Sequence, residues 1–148
     1  MICIITHVQH IKNKNHYYGY GPYIREMNIW LNHVDEVILV APLIEDELNP
    51  IYEKYNHSNL HFYQVQEFTI SSLSNIFKTL IRLPKVFFQV YKAMAQSDHI
   101  HLRCPGNIGL IGAIVQILFP NKQKTAKYAG NWDPKSKQPW SYRLQKWI

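Results

Sequence analysis

Residues 98–134, DHIHLRCPGNIGLIGAIVQILFPNKQKTAKYAGNWDP, constrain the fold more than any other part of the chain. A short apolar strand at 99–102 enters a Pro-Gly turn. A glycine-studded helix, apolar except at Gln116, follows at 108–119, then a second strand at 124–129 that ends in a polar, aromatic loop. A helical crossover between two strands makes them parallel neighbours. In an open parallel sheet, the loops at the carboxyl ends of the strands form the ligand crevice. Segments 103–107 and 130–134 are therefore where binding or chemistry is expected.

The rest of the chain repeats this alternation. Residues 2–6 form a continuous apolar run, as in a strand buried on both faces. A long polar loop is expected at 7–20. Gly21 and Pro22 then open a helix whose apolar face is Tyr23, Met27, Trp30, Leu31 and Val34. A second strand is read at 36–41, ended by Pro42, a short helix at 50–55 and a third strand at 60–65. Residues 71–97 carry a long helical pattern interrupted by Pro84. Because proline costs about 3 kcal/mol inside a helix, two helices or a kink are expected there. Alternation of this kind predicts a parallel sheet covered on both faces.

The chain has 148 residues, enough for one domain with a substantial core. It contains no apolar run of about 18 residues and no basic-then-apolar leader at its start. Its cysteines, Cys3 and Cys104, make no disulfide framework, and a reducing cytoplasmic setting is the simpler reading. A net charge of +6 favours a partner that carries phosphates or an anionic surface. The lysines form no stripe with a known reading motif, so nucleic acid is not the expected partner. Residues 139–148, PWSYRLQKWI, read as a helix that stops without a cap. Either the helix is unfinished and leads to an absent second domain, or it docks on the core.

Several clusters carry chemistry, each with a plainer structural alternative. Tyr20, Gly21 and Pro22 offer a close backbone approach and a helix amino terminus, or merely shape a tight turn. The pattern is not a full dinucleotide fingerprint, so no NAD-type site is expected. Gly106, Gly109 and Gly112 give the next helix a small side that suits close packing, but Gly106 stands at the helix start beside Arg103 and Asn107. His99, His101 and Arg103 alternate onto one face of their strand. No Asp, Glu or Cys stands at the spacing that would complete a zinc site with the histidines, so packing or hydrogen bonding is expected of them and no metal. Arg103 either holds an anion or makes an internal salt bridge. Asn131, Trp132 and Asp133 combine an aromatic ring with polar ends, as sugar recognition requires, although Asp-Pro is also an ordinary turn starter. Lys78, Arg82, Lys85 and Lys92 recur along one helix among Phe77, Ile81, Phe87, Phe88 and Tyr91, as on a membrane-facing surface or a solvated face backed by core.

Taken together, the glycine loop at 19–22, HLRCPGNIG at 101–109 and KYAGNWDP at 127–134 resemble the amino-terminal domain of GT-B glycosyltransferases. These nucleotide-sugar-dependent enzymes include many that build bacterial cell-envelope polysaccharides. The resemblance implies a Rossmann-like domain over residues 1–134, an α/β fold with a parallel sheet of about five or more strands and helices on both faces. Residues 135–148 would then lead toward a missing carboxy-terminal domain. That second domain would hold the nucleotide-sugar donor, and no other cofactor is implied. This half would bind a saccharide or lipid-linked acceptor through Tyr20, Gly21, Arg103, Gly106, Asn107, Asn131, Trp132 and Asp133, and would be inactive alone. Many relatives carry a histidine in the loop after the fifth strand. This chain has Asn131 to Asp133 there, so the resemblance assigns no catalytic residue. The competing expectation is a non-catalytic module that docks on an anionic membrane surface or a protein partner.

Overall fold

A computed structural model of the protein describes residues 1–66, 73–133 and 135–148, with the side chains of residues 73–81 left out. The chain is an α/β fold with a mixed eight-stranded sheet. The strands are β1 (Ile2–Ile5), β2 (His10–Asn13), β3 (His16–Tyr20), β4 (Val37–Ile44), β5 (Tyr52–Lys54), β6 (Leu60–Val65), β7 (His99–Cys104) and β8 (Gln123–Tyr128). The helices are α1 (Gly21–Leu31), α2 (Leu73–Gln96), α3 (Asn107–Val115) and α4 (Trp140–Trp147), with a 3-10 turn at Gln116–Leu118 after α3.

Five strands pair in parallel in the order β6-β4-β1-β7-β8. At the centre, Ile4 of β1 lies between Leu39 of β4 and His101 of β7. Alternation along β1 sends Ile2 and Ile4 to one face and Cys3 and Ile5 to the other, and both faces are covered. α1 covers the first face with Tyr23, Ile24, Met27 and Leu31. α2 and α3 cover the second with Val86, Val90, Met94, Ile108, Ile111 and Val115. A strand buried on both sides has no use for a polar residue, which is why β1 reads as an unbroken apolar run.

Four expectations fail here. The segment at 7–20 is not a polar loop, because most of it folds into the β2–β3 hairpin. β3 pairs antiparallel with β2 and β5, and β2 pairs in parallel with Leu43 and Ile44 of β4. The sheet is therefore mixed rather than wholly parallel. The hairpin turns at Lys14 with φ of 51°, a conformation usually left to glycine, so the sequence lacks the glycine that most often marks such a turn. β5 replaces the helix expected at 50–55, because its backbone is drawn into pairing with Tyr18, Gly19 and Tyr20. β4 also runs past Pro42 to Ile44, since β6 ends opposite that proline and β2 takes over the pairing beyond it.

α2 is a single helix through Pro84 rather than two. Pro84 is exposed, so the carbonyl that loses its amide partner can be solvated, while Val86, Val90, Ala93 and Met94 bury below it. That burial outweighs a local cost of about 3 kcal/mol. Residues 71 and 72, where the helical pattern was expected to begin, lie outside the described residues. Among the described residues, no helix is long and apolar enough to cross a membrane.

Candidate functional site

At the carboxyl ends of β1 and β7 the chain leaves toward opposite faces of the sheet. The connection from β1 passes through α1 on one face, and that from β7 passes through α3 on the other. His7 follows β1 there, and the Pro105-Gly106 turn follows β7. The two turns touch: a Cβ added to Gly106 would lie 2.7 Å from His7 Nδ1. A side chain at 106 would have to displace the His7 imidazole, which occupies that space.

On the α1 side, β7 and β8 present polar residues in register. His101 pairs with Thr125, and Arg103 with Lys127. Two cations side by side on adjacent strands repel each other, and Glu26 of α1 lies between them. Its Oε2 is 3.3 Å from Arg103 Nη1 and its Oε1 is 2.5 Å from Lys127 Nζ. Partial burial works to raise the Glu26 pKa, but the Lys127 hydrogen bond and the charges of both cations hold it below the usual carboxylate range. The Arg103 guanidinium also sits 5.3 Å over the ring of buried Tyr23. The internal salt bridge foreseen as one option for Arg103 is the one the fold adopts.

One turn further along α1, Trp30 lies over His101, with ring centroids 5.0 Å apart. His99 Nε2 and His101 Nδ1 meet the same Thr125 hydroxyl at 3.0 and 2.8 Å. That hydroxyl has one proton to give, so it donates to at most one of the two imidazoles and accepts from at least one. Burial, then the neighbouring His99, lowers the His101 pKa to about 4, and His101 Nε2 has no hydrogen-bond partner. The histidines thus bond to Thr125, as expected from their shared face. Among the described residues, no group of three or more metal-ligating side chains converges.

The other proposed ligand residues have specific internal roles. The Gly21 N–H donates to the Ile51 carbonyl at 2.9 Å, and a Cβ there would meet that oxygen at 2.5 Å. Its amide is therefore engaged by the segment leading into β5, whereas Tyr20 stays half exposed. The Gly106 N–H donates to Gln145 Oε1 at 3.2 Å, so a side chain of α4 sits at the amino terminus of α3. α4 turns Ser141 and Gln145 inward and leaves Trp147 90% exposed. Asn107 opens α3. Asn131 Oδ1 accepts from the Asp133 N–H and Asp133 Oδ1 from the Lys135 N–H, each at 2.9 Å, so both side chains organise their own loop. Trp132 projects from that loop, 65% exposed, against Tyr128 and under the Lys146 ammonium. Pro134 lies outside the described residues.

The fold brings Arg103, Gly106 and Asn107 together at one strand end and keeps Asn131, Trp132 and Asp133 on the loop after the adjacent strand. Tyr20 and Gly21 begin α1, beside β5. Three participants escaped the sequence reading: His7, Glu26 and Lys127 in its role beside Arg103. His7 was open to detection, as the second residue beyond a buried strand. Glu26 was not, because only the docking of α1 on β7 brings it to Arg103. Burial raises the Cys104 pKa to about 11 and pushes that of Cys3 up further, so both thiols stay protonated. No protein-family model, curated protein or solved structure matches the chain.

Proposed function

We propose that this chain is the acceptor-binding half of a nucleotide-sugar-dependent glycosyltransferase, one Rossmann-like domain of a GT-B fold. One observation carries the reading. The five parallel strands, numbered by their own order in the chain, follow 3-2-1-4-5, and a Rossmann-like domain binds ligands where such an order reverses. That point lies between β1 and β7, where His7, Gly106 and Arg103 sit. On this reading Arg103 and Lys127 present positive charge toward polar groups of the acceptor, with Glu26 fixing their positions. Trp132 gives a sugar ring a surface to stack on, as exposed aromatic rings do. A second domain supplies the donor site and closes the cleft, and the enzyme works in the cytoplasm, where buried thiols stay reduced.

The test is an array of cell-envelope-type oligosaccharides probed with the purified chain, followed by titration of the best ligand. Saccharide binding is expected, and Trp132→Ala should weaken it by roughly tenfold, equivalent to about 1.4 kcal/mol. The chain alone should release no nucleotide from a nucleotide-sugar. Failure to bind any saccharide, or turnover by the chain alone, overturns the reading.

A further inference from the structure

α2 has a composition that its role as a crossover does not explain. Its 24 residues include Lys78, Arg82, Lys85 and Lys92 and no Asp or Glu. The side chain of Lys78 lies outside the described residues. Val86, Val90, Ala93 and Met94 bury against the sheet, which turns Phe88 to the middle of the opposite side, 65% exposed. A helical turn of 100° per residue then places Phe87 and Tyr91, each 40% exposed, on one flank and Lys85 and Lys92 on the other.

The apolar flank extends beyond α2. The Tyr91 ring meets Phe119 with centroids 5.3 Å apart, and Ile117 and Leu118 of the adjoining 3-10 turn are more than half exposed. The segment from Asn107 to Leu118 carries no charge. On the other flank, a groove of about 550 Å³ runs between α2 and β6, lined by Arg82, Lys85, Lys92, Gln64, Gln66 and Phe88 among others. No described residue lining it is acidic. Lys92 lies 5.8 Å over the Tyr63 ring, which holds its ammonium on this side. Among the described residues, no carboxylate lies within ion-pair distance of Arg82, Lys85 or Lys92, unlike Arg103 and Lys127 on the opposite face of the sheet.

A solvated helix face has no reason to gather three exposed aromatic rings, and an interface with an apolar protein has no reason to gather three cations that no described carboxylate neutralises. A surface that is apolar in depth and anionic at its rim satisfies both. We propose that the outer face of α2 is a docking surface for an anionic lipid bilayer. Phe87, Phe88 and Tyr91 enter the headgroup boundary, and Arg82, Lys85 and Lys92 lie against lipid phosphates. The proposal is independent of the saccharide reading, since α2 and α1 lie on opposite faces of the sheet.

The experiment uses the 148-residue chain and vesicles of phosphatidylcholine, with or without roughly 30% phosphatidylglycerol. Flotation should recover the chain with the anionic vesicles only. Lys85→Glu with Lys92→Glu should lower that association at least ~10-fold. Because Cys3 and Cys104 are buried, an environment-sensitive dye can be placed on a single exposed thiol. On Phe88→Cys it should brighten with anionic vesicles. On Ile29→Cys, an exposed position of α1 across the sheet, it should not. Equal recovery with both vesicle types, unchanged association of the double variant, or equal dye response at positions 88 and 29 would each overturn the proposal. So would a chain that ignores both vesicles, including one that captures an acidic protein or a nucleic acid instead.

Discussion

The two faces of the central sheet are built on opposite principles. Against α2 and α3 the sheet shows Cys3, Ile5, Ile38, Val40, Ile100 and Leu102, and the contact is almost wholly hydrocarbon. Against α1, the apolar centre of Ile2, Ile4, Val37 and Leu39 gives way on one side to His99, His101, Arg103, Thr125 and Lys127. It gives way on another to His10, buried against Tyr55 with a 3.0 Å hydrogen bond and edge-on to Tyr23. One face is held mainly by packing, with Lys122 Nζ donating to the Met94, Ala95 and Ser97 carbonyls at the end of α2. The other is held by packing plus groups whose charge state must be right. Stability lost by removing volume should therefore belong to the first face, and stability lost by changing pH or salt to the second.

The largest expected effect is acid destabilisation through the α1 face. Burial lowers the pKa of His10 to about 4, and burial together with His99 does the same to His101. Unfolded, each titrates near 6.5. The folded state thus binds fewer protons between these values, so stability is full above about pH 6.5 and is lost as pH falls toward 4. Each histidine accounts for roughly 3 kcal/mol over that window, which together rivals the whole stability of many domains. Urea unfolding between pH 7 and pH 5 should show a slope approaching two protons, with the His10 and His101 ring resonances silent above pH 5. A slope well under one proton would dissolve the distinction between the faces.

The next effect is on the other face. Ile100→Ala removes a fully buried side chain amid Cys3, Ile38 and the α2 residues, and should cost about 3 kcal/mol. The comparison sharpens if that penalty is the same at pH 7 and pH 5.5, because no titrating group changes state on this face. A penalty that changes by more than ~1 kcal/mol between the two would mean that the faces are coupled through β7, where Ile100 stands between His99 and His101.

The same contrast explains what could be read from sequence. β1, β4 and β7 are legible as largely apolar runs that bury within the sheet, and α1 as an apolar face at helical spacing. α3 is legible from its apolar run, although it ends at Val115 and its last expected turn is a 3-10 helix. α2 is legible in extent but not in continuity, since a local proline rule was set against burial it could not measure. The β2–β3 hairpin is illegible. Its His, Asn, Lys and Tyr residues look solvated, its turn lacks glycine, and its partners, the end of β4 and the short β5, are distant in sequence. At the site, the shared face of His99, His101 and Arg103 follows from strand alternation. Their partners do not, because Glu26 stands 77 residues from Arg103 and 101 from Lys127. A cation's register can be read locally, but whether it is already neutralised depends on tertiary docking.

Glu26→Gln gives the smallest effect and bears most directly on that last point. Glu26 and Arg103 are partly buried, with side-chain exposures of 25% and 16%, while Lys127 is half exposed at 48%. Solvent screening therefore limits the loss to about 1–2 kcal/mol at pH 7 and low salt. The loss should shrink at about 1 M NaCl, where the Debye length falls to roughly 3 Å. It should also fade in the wild-type comparison as acid protonates Glu26, whose folded pKa lies below its ordinary value. The amide keeps the shape of the carboxylate, so the change isolates charge. With Glu26 neutral, Arg103 and Lys127 stand unopposed at the carboxyl edge, and inorganic phosphate should stabilise Glu26→Gln more than the wild type. A variant as stable as the wild type, equally indifferent to salt and phosphate, would mean that the α1 face, like its opposite, is held mainly by packing.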